Sequence, residues 1–113
     1  MEKYTIDELE AIQDKASKIM AFALGNDKGK LPRAFDFIGI IARNIDICKR
    51  DNYNSAAELT LLIQKDWRAC MESHAGLMEY YFVNDNYEIR CELNSTFQQM
   101  VVELDKIISR IGR

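Results

Sequence analysis

Cys70 and His74 stand four residues apart in "CMESH", so on a helix both side chains share one face and could supply half of a zinc site. A closed structural site needs four ligands. His74 is the single histidine of the chain, which rules out an HExxH site, a histidine pair and the doubled Glu-x-x-His of carboxylate-bridged di-iron bundles. Cys48 and Cys91 form no CxxC spacing with Cys70. Three cysteines spaced in this way read as buried, reduced thiols rather than as a disulfide framework or a metal centre. The same Cys-His pair could act as a nucleophile and base, yet no recognisable pattern supplies the third, orienting group.

Phosphate chemistry is no better served. Gly25 and Gly29 bracket "NDK", but no Lys-Ser/Thr follows and no strand precedes, so the segment is not a phosphate-cradling loop. With 18 acidic residues against 15 basic, the chain carries a formal charge of −3 and lacks the concentrated basic surface that nucleic acid requires. Lys106, Arg110 and Arg113 are the one local excess, placed to suit the negative end of a helix dipole. No run of about 18 apolar residues offers a membrane span, and "MEKYTIDELE" is acidic where a secretion signal is basic and then apolar. The expectation is a cytoplasmic, non-enzymatic protein with no metal, no cofactor, no nucleic acid and no membrane partner.

Any binding residues must therefore be positioned by helices. Thr5 to Glu8 is a capping box, T-x-x-E, followed by Ile6, Leu9, Ile12, Ala16 and Ile19 at helical spacing, with Gly25 where a C-terminal cap is wanted. Pro32 suits the first turn of a second helix, which stops in "KRDNYN". Ser55 to Glu58 repeats the box, and Leu59, Ile63, Trp67, Cys70, His74, Leu77 and Tyr81 continue in register. Asp85 to Glu88 is a third box, opening a stripe from Ile89 through Phe97 and Leu104 to Ile111. No segment alternates like a strand between turn residues. The pattern predicts one all-α domain over residues 1–113, an antiparallel up-down-up-down four-helix bundle with helices at 6–24, 32–50, 56–82 and 86–111.

Two surfaces of such a bundle could meet a partner. In the second helix, Phe35, Ile38, Ile41, Ile45 and their neighbours occupy an arc of roughly 160°, already generous for a core-facing stripe. Ile40 and Ile47 fall outside it, separated by Arg33 and Asn44. Either they pack at the flank of a neighbouring helix, or Phe37, Ile40, Asn44 and Ile47 form the interface of a homodimer.

The second surface follows from helix length. Helices three and four, at 56–82 and 86–111, should overhang the shorter first pair, exposing the hairpin "MEYYFVNDNYEI". It holds tyrosines and carboxylates without a basic residue, a composition suited to a basic protein surface. Its candidate binding residues are Glu79, Tyr80, Tyr81, Asp85, Tyr87 and Glu88. The competing account has Tyr81 and Phe82 close the end of the core while the acids serve the fourth helix's N-terminus.

Size, acidity and Tyr-plus-carboxylate chemistry are similar in style to those of small helical immunity proteins and antitoxins, a likeness that rests on no shared motif. The leading expectation is an immunity-like or antitoxin-like inhibitor that binds and neutralises a basic protein such as a toxin. The alternative is a homodimeric helical regulatory or adaptor module assembling through helix two.

Overall fold

Thr5 opens the first helix, α1 (Ile6–Asn26), with a complete capping box. The Glu8 N–H donates to the Thr5 hydroxyl (3.1 Å) and the Thr5 N–H donates to the Glu8 carboxylate (2.9 Å). Both N–H groups would otherwise lack partners at a helix start. The structure, a computed structural model, describes residues 2–27, 29, 31–72, 76–77 and 80–111. Within them lie three further helices, α2 (Ala34–Arg50), α3 (Ala56–Glu72) and α4 (Tyr87–Ile108), and no strand. The protein is an all-α four-helix domain, as its apolar periodicity predicts. Among the described residues no helix is long and apolar enough to cross a membrane.

Each helix turns one stripe into a common core, with Ile12 and Ile19 from α1, Ile38 and Ile45 from α2, Ile63 and Trp67 from α3, and Val101 and Leu104 from α4. Hydrogen bonds show how the helices run. Tyr4 donates its N–H to Thr60 Oγ1 in α3 (3.1 Å) and its hydroxyl to the Ile108 carbonyl at the end of α4. Burial, first among the causes, pushes its phenol up to about 12. The Tyr53 hydroxyl, just past α2, meets Glu10 near the start of α1 (3.4 Å), and Cys70 near the end of α3 meets the Ala34 carbonyl at the start of α2 (3.4 Å). So α1 and α2, α2 and α3, and α1 and α4 run in opposite senses. Arg110 adds a clasp between the chain's two ends through ion pairs with Glu8 and Glu2, which occupies one of the three cations noted near residue 113.

Several helix ends differ from expectation. Gly25 lies inside α1, which runs to Asn26 and ends where the extended Asp27 donates its N–H to the Ala23 carbonyl. Pro32 precedes α2 by a turn, its carbonyl accepting from the Phe35 N–H (3.0 Å). The Ser55 hydroxyl turns back to Asp51 (3.0 Å) instead of capping α3. Asn86, not Asp85, caps α4, accepting from the Ile89 N–H (3.1 Å).

The largest correction concerns the third helix. In place of 56–82 it covers Ala56–Glu72, Gly76 lies outside any helix, and residues 80–84 form an irregular strap. A glycine inside a helix costs roughly 0.5–1 kcal/mol relative to alanine. Burying a phenylalanine stabilises by about 1.5–3 kcal/mol, and leaving the helix lets Phe82 enter the core. The long pair is accordingly α1 and α4, with 21 and 22 residues, while α2 and α3 have 17 each. None of residues 87–96 is buried, so the first turns of α4 project beyond the core.

Cys48 and Cys70 are buried as expected, whereas Cys91 is exposed on the projecting part of α4. Burial, aided by the Asp66 charge, pushes the Cys70 thiol up to about 12. A thiol reagent such as DTNB at neutral pH should therefore titrate Cys91 alone in the native protein and all three thiols, the number in the chain, after unfolding. Rapid labelling of Cys70 in the folded state would contradict its placement.

Candidate protein-binding site

Five aromatic rings organise the end of the molecule where the sequence places its tyrosine-rich hairpin. Phe35 of α2 and Phe97 of α4 are buried, and the strap lays Tyr80 and Phe82 across them. The Tyr80 ring stands edge-on to Phe35 at 5.0 Å and to Phe82 at 5.1 Å, and Phe82 meets Phe22 of α1 at 5.3 Å and Phe97 at 5.4 Å. Edge-to-face pairs at these separations add to the gain from burial alone.

Polar bonds tie the strap at both ends of this cluster. The Tyr80 hydroxyl donates to the Asp27 carboxylate, which also accepts the Gly29 N–H (2.8 Å). Burial first and the Asp27 hydrogen bond second hold the Tyr80 phenol well above its ordinary range, and the Tyr80 bond draws the Asp27 carboxyl below its own. At Phe82, the Asn94 side chain accepts the backbone N–H (2.6 Å) and donates to the backbone C=O (3.0 Å). A second donor bond from Asn94 to the Arg90 carbonyl (2.8 Å) holds the amide in place. Arg90 reaches the Asn84 carbonyl (3.3 Å) and stacks over the Tyr87 ring at 5.4 Å.

The expected binding residues separate at this point. Tyr80 is half-buried and belongs to the aromatic cluster, so it is a brace rather than an exposed anchor. Tyr81 and Tyr87 are exposed by 63% and 68%, and Val83, which composition alone did not single out, by 77%. Asp85, Glu88 and Glu92, close by in the chain, are exposed as well. Glu79 lies outside the described residues, as do His74 and Arg113. Among the described residues no group of three or more His, Cys, Asp or Glu could hold a metal ion.

Comparison with family models, with curated proteins and with solved structures finds no match. Function must be argued from the site alone.

The other candidate surface, on α2, breaks into unlike parts. Phe37 packs against the core, Ile40 and Asn44 are half-buried, and Ile47 is exposed by 53%. Ile40 borders a shallow hollow with Met20, Phe35 and Gly39, the flank position that a helix between two neighbours provides.

Asn94 and Asp27 escape sequence reading, although Asn94 leaves a trace. It sits in a helix interior beside the apolar stripe, where asparagine is unfavourable unless its amide has a task elsewhere. Asp27 leaves none, because its partner Tyr80 lies 53 residues away.

Proposed function

We propose that this domain is a non-enzymatic protein-binding module whose partner is a basic protein, gripped by the strap and the first turns of α4. One observation carries the reading. Tyr81, Val83 and Tyr87, three large side chains within seven residues, are each more than six-tenths exposed on a segment that Asn94 and the aromatic cluster hold in place. Single exposed apolar residues are ordinary on a soluble surface, but a concentration on a braced segment has the makeup of a contact patch. Tyrosine supplies contact area at low entropic cost, and Asp85, Glu88 and Glu92 favour lysine and arginine opposite. An acidic domain that covers a basic toxin in this way acts as an immunity-like or antitoxin-like inhibitor.

The test begins with cross-linking and isolation of the bound protein, followed by binding measurements on variants. Tyr87→Ala and Tyr81→Ala should each weaken binding by about 2 kcal/mol or more if they are central anchors. Asp85→Lys should slow association chiefly at low salt, since rim charges steer encounter and are screened within about 10 Å at 0.1 M. Full binding by all three folded variants would move the interface elsewhere.

Ile47 favours a second reading, a homodimeric regulatory or adaptor module through α2. Because it is exposed, Ile47→Glu should leave the fold intact, within about 0.5 kcal/mol of wild type. Light scattering then decides. A dimer that this change converts to a monomer would establish the α2 interface, and an unchanged mass would remove it.

A further inference from the structure

The backbone of the strap offers more than its side chains. Phe82 presents both its N–H and its C=O to one Asn94 amide (2.6 and 3.0 Å), which requires the two groups to point the same way, the geometry of an extended residue paired across a β-ladder. Burial alternates accordingly, with Phe82 inside and Tyr81 and Val83 outside. In extended chain the main-chain groups of successive residues point to opposite edges. Those of Tyr81 and Val83 are therefore aimed away from Asn94, and among the described residues they take part in no hydrogen bond. Asn94 thus stands in for a strand on one edge of the strap and leaves the other edge open.

We infer that Tyr81–Val83 is an open β edge that receives an extended basic segment of the partner, adding it as a strand. The inference rests on the binding reading above and specifies the form of what is bound. Two N–H and two C=O groups along one edge are all met at once by another extended main chain, whereas a helix has already used its own. Charge selects the segment. Asp85, Glu88 and Glu92 are exposed and follow the edge within ten residues of the chain, and Arg90, the cation among them, is engaged with Asn84 and Tyr87. Exposed Tyr81 and Val83 side chains suit apolar, β-branched residues at the paired positions, with lysine or arginine outside them.

The experiment uses the full chain and labelled peptides of about six residues, the common strand length, with valine and lysine alternating. Controls are the same peptide with prolines at the pairing positions, one with glutamate for lysine, and a basic helix-forming peptide of equal charge. Fluorescence anisotropy should show binding of the valine-lysine peptide alone, with slowed hydrogen exchange at the Tyr81 and Val83 amides. Val83→Pro removes one donor while keeping Phe82 in its extended conformation, and should weaken binding roughly tenfold or more, whereas Val83→Thr should stay within about threefold.

The exchange measurement needs no variant, so poor folding of Val83→Pro would not rescue the proposal. Unprotected amides in the complex overturn it, as does preferential binding of the helical peptide. Either result would leave the basic-partner reading standing. Equal binding of the glutamate peptide, or no binding by any basic peptide, overturns both. Self-association abolished by Val83→Pro would make the occupant a second copy and overturn the assignment to a basic segment.

Discussion

Replacing Phe82 by alanine is expected to destabilise the protein by about 3–5 kcal/mol, the usual result of removing a fully buried phenylalanine. Phe82 is 1% exposed and its ring meets Phe22, Tyr80 and Phe97, so one truncation removes the centre of the aromatic cluster. The cavity cannot close easily, because three of its walls belong to three different segments, α1, α4 and the strap. A domain of this kind has a total stability of about 5–15 kcal/mol, so the variant should unfold at markedly lower urea and temperature. Phe82→Leu, which refills much of the volume, should recover a good part of the loss. A cost for Phe82→Ala of no more than about 0.5 kcal/mol, where surface substitutions fall, would mean that the strap does not pack against the helices.

Asn94→Leu should have the second largest effect, about 2–4 kcal/mol. It leaves the Phe82 N–H and C=O together without a partner, and because both bonds are only partly buried each loss falls in the lower part of the roughly 1–3 kcal/mol range for an orphaned group. Leucine has the better helix propensity, so any destabilisation must come from the strap and not from α4 itself. Asn94→Asp should fall between, keeping the acceptor for the Phe82 N–H (2.6 Å) and losing the donor to its C=O (3.0 Å). The decisive measurement is a double-mutant cycle with Phe82→Ala. Once Phe82 no longer anchors the strap, Asn94 has little left to hold, and the combined cost should be clearly less than the sum. Strict additivity would show that the two residues stabilise different things. Hydrogen exchange at the Phe82 amide should also accelerate in Asn94→Leu while amides at the centre of α2 stay protected.

Both variants bear on binding as well as stability. If the open edge at Tyr81 and Val83 takes a partner strand, Asn94→Leu should weaken that binding without touching the partner, because an edge must be held extended before it can pair.

Four helices and most of the core are legible in the spacing of residues along the chain. A helix start depends on residues three apart, and a buried stripe on residues three or four apart, so the Thr5–Glu8 box and the α1 stripe through Leu9, Ile12, Ala16 and Ile19 are legible without any tertiary information. Where the same local rule failed, at the end of α3, it failed because Cys70, Leu77 and Tyr81 continue a helical spacing that the chain does not follow.

Which of the adjacent Tyr80 and Tyr81 points inwards depends on contacts between distant segments. That choice rests on Phe35 and Asp27, 45 and 53 residues distant from Tyr80 in the chain, and on the space that Phe97 leaves for Phe82. It converted an expected helical hairpin into a strap with one satisfied edge and one open one. Spacing along a chain reports what neighbouring residues can do together, whereas the pairing of Asn94 with Phe82 exists only once two segments have met.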